Sequence, residues 1–143
     1  MTKKISRATA VLCATLMIAP IMAIGGVVAS SGAGAATPVR VLTCAGQVTT
    51  KPSTYLLSCA DAGAGWDAMT WSAWNGSSAT GHGILRQNNC TPDFVAGMFI
   101  SYRSTVILSH VVTTKKYGEL YARAVFHYSV NGKAKTEVFD LAD

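Results

Sequence analysis

A chain of 143 residues has room for one globular domain. Its formal net charge of +5 overstates its basicity. Three of the 12 bases, Lys3, Lys4 and Arg7, precede an apolar run, and the rest of the chain carries nine bases against seven acids, a net of about +2. Those nine are dispersed, which excludes a nucleic-acid partner, since that needs a basic patch interleaved with aromatics.

The first element is a leader. A basic start, an apolar stretch over residues 8–29 and the small-residue tract Ser30-Ser-Gly-Ala-Gly-Ala-Ala36 have the layout of a secretory signal peptide. Cleavage is expected after Ala35 or Ala36, dividing the chain into a signal peptide, residues 1–36, and a secreted domain, residues 37–143. About 20 apolar residues could also span a bilayer uncleaved. Pro20, Gly25, Gly26 and the small exit favour cleavage. Cys13 follows Leu12 and lies too early to serve as a lipid-attachment cysteine. The expected location is extracellular or at the cell envelope, with no stable membrane insertion after cleavage.

Residues 37–44, with Val39, Val41 and Leu42, open the domain as a first strand or extended lead-in. Residues 46–52 and 54–59 read as a hairpin turning at Pro52-Ser53. That turn would bring Cys44 and Cys59 together at its open end, so Cys44–Cys59 is the preferred disulfide; a bridge from Cys90 to either is the alternative. A cross-link suits a small exported domain, where it adds roughly 2–4 kcal/mol to a marginal core. Three cysteines in the secreted part leave one over, as a free or intermolecular thiol at Cys90 and with it a Cys90-linked dimer.

All three tryptophans fall between Cys59 and Asn75. Residues 67–74 read as a strand with Met69, Trp71 and Ala73 on one face and Thr70, Ser72 and Trp74 on the other. Asn75-Gly76 is a hairpin signal. On the return strand, residues 79–86, the small residues Ala79, Gly81 and Gly83 share a face and make room for an indole across the pair. Residues 88–93 form a turn-rich loop, and residues 104–112 an apolar, β-branched strand. Residues 117–130 alternate Leu120, Ala122, Ala124, Phe126, Tyr128 and Val130 with Glu119, Tyr121, Arg123, Val125, His127 and Ser129. Asn131-Gly132 turns the chain into a last strand, residues 133–141, which sets Arg123 opposite Asp140 and Ala124 opposite Phe139. No helical periodicity follows the leader. Six to eight short-spaced strands predict an all-β fold, a single antiparallel β-sandwich, immunoglobulin-like or similar.

Chemistry-bearing patterns are sparse. His82, His110 and His127 stand on separate strands without metal-ligand spacing, and His127 falls on a solvated face. The secreted part contains no Gly-x-Ser-x-Gly, and nothing in its sequence lowers the pKa of the Cys90 thiol. Asp61-Ala-Gly-Ala-Gly-Trp-Asp67 lacks the alternating oxygen ligands of a calcium loop and the Gly-Lys-Ser/Thr of a phosphate loop, and reads as a mobile connection. No cofactor, metal or catalytic group is expected. Trp66 and Trp74 are candidates for a partly exposed binding surface, because exposed indoles stack on sugars or anchor partners. Asn75-Gly-Ser77 and Asn89-Cys-Thr91 match the glycosylation acceptor pattern, by coincidence if the leader is bacterial as it looks.

The order Cys44…Pro52…Cys59-Ala-Asp61…Trp71-Ser-Ala-Trp74…Ala79-Thr-Gly-His-Gly83…Cys90-Thr-Pro-Asp…Gly97 resembles a group of small exported proteins of actinobacteria, over most of the secreted part. The resemblance implies a secreted or envelope-associated β-rich domain and no activity. Members of that group tend to carry a second cysteine just after the Cys-x-Pro, where this chain has Phe94; the resemblance thus implies that Cys90 lacks a partner. A fainter likeness is to the bacterial subtilisin-inhibitor family, through Cys59-Ala-Asp61 and a reactive loop matching residues 90–94. That family braces its loop with a fourth cysteine, absent here, and an unbraced loop forfeits tight binding. The expectation is a non-catalytic binding or interaction module for an extracellular or envelope ligand; the alternative is a serine-protease inhibitor.

Overall fold

The computed structural model describes residues 37–141; the expected leader, residues 1–36 with Cys13, lies outside them. The described chain is all-β and antiparallel, with no helix. Its strands are β1 (Val41–Leu42), β2 (Val48–Thr49), β3 (Tyr55–Leu56), β4 (Ala64–Trp74), β5 (Ala79–Asn88), β6 (Phe99–Thr114), β7 (Gly118–Val130) and β8 (Lys133–Asp140). Strands β3 to β8 form one six-stranded sheet in which each strand pairs with its neighbour in sequence, and β1 pairs with β2 separately. The predicted register of the last hairpin holds: Arg123 faces Asp140 and Ala124 faces Phe139. Asn131 and Gly132 turn it with φ of 49° and 75°, the left-handed pair that a two-residue hairpin needs.

The long sheet curls on itself, so the sandwich-like core lies between two parts of one sheet. At the closure, Asp140 and Leu141 at the end of β8 line a cavity of about 170 Å³ with Tyr55, Leu56, Leu57 and Cys59 around β3. The N-terminal segment seals the gap. Where β8 stops, the vacant edge of β7 takes up Arg40: Arg40 N donates to Glu119 O at 3.1 Å, and Tyr121 N donates to Arg40 O at 2.9 Å. From the other side Tyr55 Oη donates to Leu42 O at 2.5 Å. Val39 and Val41 are thereby buried against the core.

This arrangement corrects the first expected hairpin. Strand β2 pairs with β1, and β3 pairs with β4; residues 46–52 and 54–59 do not pair with each other. The Pro52-Ser53 stretch is held by β4 instead. Pro52 O accepts from both Trp66 Nε1 (3.2 Å) and Trp71 Nε1 (3.0 Å), and Ser53 O accepts from Met69 N (2.9 Å). Cys44 and Cys59 do meet, with Cα atoms 5.4 Å apart, because the β1–β2 turn and the end of β3 come together at the closure.

Strict alternation places Trp71 and Trp74 on opposite faces of β4, and the structure overturns that. The register shifts between Asp67 and Thr70, where Ala68 has φ 50°, and again between Trp71 and Ala73. Each bulge inserts one extra residue and reverses which side the following residues face. The first shift brings Met69 and Trp71 to the inward face that Trp66 already takes, and the second returns Trp74 to it. Gly81 leaves the space this needs: a Cβ there would lie 2.9 Å from Trp71 Cε3. Gly83 serves the bulge itself, since a Cβ would lie 2.9 Å from Asp67 O and from Met69 Cα.

A second change of phase occurs at His110, whose φ is 56°. Leu108 before it is buried, His110 is exposed, and Val111 packs against the core. Across the ladder Tyr121, expected on the solvated side of its strand, is fully buried and stacks edge-on against Trp74, ring centroids 5.3 Å apart.

Burial pushes the Tyr55 phenol up to about 12. Burial, together with the hydrogen bond it donates to Glu137, pushes Tyr128 up to about 12 as well. A phenol whose pKa rises on folding stabilises the fold fully below its unfolded value near 10, and that contribution is lost as pH climbs through the folded value. The melting temperature is therefore expected to hold up to about pH 10 and to fall steeply toward pH 12. Tyrosinate absorbance recorded alongside should show some phenols ionising only with the unfolding transition. Complete ionisation at pH 10.5 with the fold intact would contradict this.

Candidate binding surface

Of the two indoles expected at a partly exposed surface, Trp74 is half-buried, while Trp66 is buried and lies beneath the hollow described below. Trp66 is fully buried and stacks on Tyr55, centroids 4.4 Å apart, with Phe126 at 5.9 Å and Trp71 at 6.0 Å. Trp74 is half-buried and donates through Nε1 to Val39 O at 2.7 Å, which ties the N-terminal segment down. Trp66 precedes both β4 bulges and the two reversals together return Trp74 to its face, so both indoles point into the curl, where the bulges bring Trp71 to join them. The stretch from Asp61 to Asp67 is not a free connection, since β4 begins at Ala64. Asp61 accepts from Gly63 N at 2.9 Å, a bond that holds its carboxyl below the usual range, and Asp67 is paired with Arg86 at 2.9 Å.

Exposed apolar side chains gather elsewhere, around the loop between β5 and β6 and the start of β6. Val95 is 94% exposed and Met98 71%, and Phe94, Phe99 and Ile100 are also exposed. Beside them, on the outer face, Leu56, Gly65, Arg86 and Ser101 are successive cross-strand partners from β3 to β6. Gly65 has no side chain to offer, and a Cβ there would lie 2.7 Å from Tyr55 O. The resulting hollow of about 310 Å³ is lined by Thr54, Leu56, Gly65, Asp67, Arg86 and Phe99. Its walls are apolar, with one charged pair: the Arg86 guanidinium lies 4.9 Å from the Phe99 ring centre while bonded to Asp67. Concave, largely apolar sites with a few placed polar groups are the usual form of a ligand site.

The loop that carries this apolar rim is braced without a second disulfide. Asn88 Oδ1 accepts from Cys90 N (2.8 Å) and Asn88 Nδ2 donates to Phe94 O (2.9 Å). Asn89 Oδ1 accepts from Thr91 N (3.2 Å) and Met98 N (3.0 Å), and Asp93 Oδ1 accepts from Ala96 N (2.9 Å). The expectation of an unbraced loop is corrected on this point. The chain then turns over residues 94–96.

Cys90 is exposed and is the free thiol among the described residues; Cys44 and Cys59 are bridged. No three metal-ligating side chains converge among the described residues. Sequence reasoning passed over the rim although a signal was present: residues 94–100, Phe-Val-Ala-Gly-Met-Phe-Ile, are apolar without alternation directly after a turn motif. Such a run lacks the polar face of a half-buried strand, and only the structure shows that it is exposed and not doubly buried. No family model, curated protein or solved structure matches the chain.

Proposed function

We propose that this protein is an exported binding module that acts through the apolar rim of residues 94–100 and the adjoining hollow over Gly65. The carrying observation is the set of five exposed large apolar side chains within seven positions, held in place by side-chain hydrogen bonds to the loop backbone. An apolar surface kept in a fixed shape is a mark of interaction sites, because its exposure otherwise opposes solubility. The Cys44–Cys59 disulfide agrees with an oxidising compartment, and the sequence leader and the likeness to small exported proteins agree with export. The partner surface on this reading is extracellular or in the cell envelope. It offers an apolar group small enough for the hollow and one polar group to meet Arg86.

The test is co-sedimentation of the purified protein with envelopes of the cells that make it, in parallel with a Val95→Asp/Met98→Asp/Phe99→Ser variant. The wild type is expected to pellet and the variant to stay in the supernatant, by a factor of at least ten. Near-UV circular dichroism should show the same core in both. Equal pelleting of the two, or no pelleting of the wild type, would overturn the reading.

A further inference from the structure

Across the outer face of the curled sheet, Thr70, His82, Thr105, His127 and Thr136 form one unbroken row of cross-strand partners over β4 to β8. Each imidazole is fixed by the hydroxyl beside it: His82 Nδ1 lies 3.1 Å from Thr105 Oγ1, and His127 Nδ1 lies 3.1 Å from Thr136 Oγ1. A hydroxyl that occupies Nδ1 leaves Nε2 of both rings for a ligand. Arg103 stands two residues before Thr105 on the same face and makes no salt bridge among the described residues. His82, Gly83, Arg103, Thr105 and His127 line an open hollow of about 560 Å³, and no carboxylate lines it.

We propose that this hollow is a phosphate-binding site, gripping the phosphate group of a larger ester between His82 and His127 with Arg103 as the charged partner. Spacing supports this. The two histidines sit two strands apart, roughly 9.5 Å between backbones. A phosphate with an O···O edge of about 2.5 Å and a hydrogen bond of about 2.8 Å on each side spans about 8 Å. Among the described residues no third metal-ligating side chain joins the two histidines. Arginine suits the tetrahedral oxyanion because its planar fork presents paired donors.

The three histidines supply the test, since His110 lies outside this hollow. Imidazole carbon–proton resonances of the whole protein would be followed while glycerol 3-phosphate, inorganic phosphate or glycerol is added at constant ionic strength. Saturable shifts of His82 and His127 with glycerol 3-phosphate, a still His110 and no response to glycerol are expected. Tighter binding of the ester than of inorganic phosphate marks an ester as the source, and equal binding marks the free ion. Arg103→Gln should weaken binding at least tenfold, with the unchanged His110 resonance showing that the variant is folded. Linear, parallel shifts of all three histidines, or an Arg103→Gln variant that binds as well as the wild type, would overturn the site.

Discussion

Trp66→Ala is expected to remove about 3–5 kcal/mol of stability, the usual cost of deleting a fully buried aromatic and leaving a cavity. Small domains have in total only about 5–15 kcal/mol, so the variant should be largely unfolded at 37 °C or close to it. The cost is high at this position because the indole has neighbours on every side. Tyr55 stacks on it, Trp71 and Phe126 meet it edge-on or tilted, and its Nε1 donates to Pro52 O. Truncation therefore empties the middle of the curl and also takes one of the two indole bonds from the Pro52 segment. Trp66→Phe, which keeps a ring against Tyr55, should lose much less. Urea titration followed by far-UV circular dichroism measures both. A loss below about 1 kcal/mol for Trp66→Ala would place the indole at a rim, where surface changes usually stay within about 0.5 kcal/mol.

The second large effect is expected from the double substitution Cys44→Ser/Cys59→Ser. A bridge closing a loop of 15 residues stabilises by about 3 kcal/mol in the chain-entropy account. For a domain of this size that corresponds to a fall in Tm of roughly 10–20 °C. The loop it closes holds β2 and β3, elements of two residues each that pair weakly by themselves. Hydrogen exchange should accordingly quicken first over residues 39–49, while the β5–β6–β7 ladders keep their protection. A change in Tm under about 3 °C would mean that the Arg40 bonds to β7 and the Tyr55–Leu42 bond close the sheet unaided.

The candidate site was the least legible part. Trp66 and Trp74 drew attention as large aromatics in a small domain, yet indoles are the residues with most to gain from burial, and two bulges let all three reach one core. The rim at residues 94–100 falls mostly in the loop before β6, and an unbroken apolar run of that length reads equally as a fully buried strand. The His–Thr row is invisible along the chain, since neighbouring members lie 9 to 23 positions apart and meet only through four strand registers.

The sequence by itself determined the all-β class and the last hairpin with its register, through period-two alternation and the left-handed preference of Asn-Gly. It also favoured Cys44–Cys59 over a bridge to Cys90, but through a hairpin that does not form; the closure of the sheet is what brings the two together. Tertiary structure alone decided which face each tryptophan takes, which strand β2 joins and where apolar surface stays exposed. Each of these depends on a bulge or on the closure of the sheet. A single inserted residue reverses every side chain beyond it, and its position is set by packing from distant segments such as Ser53 against Met69.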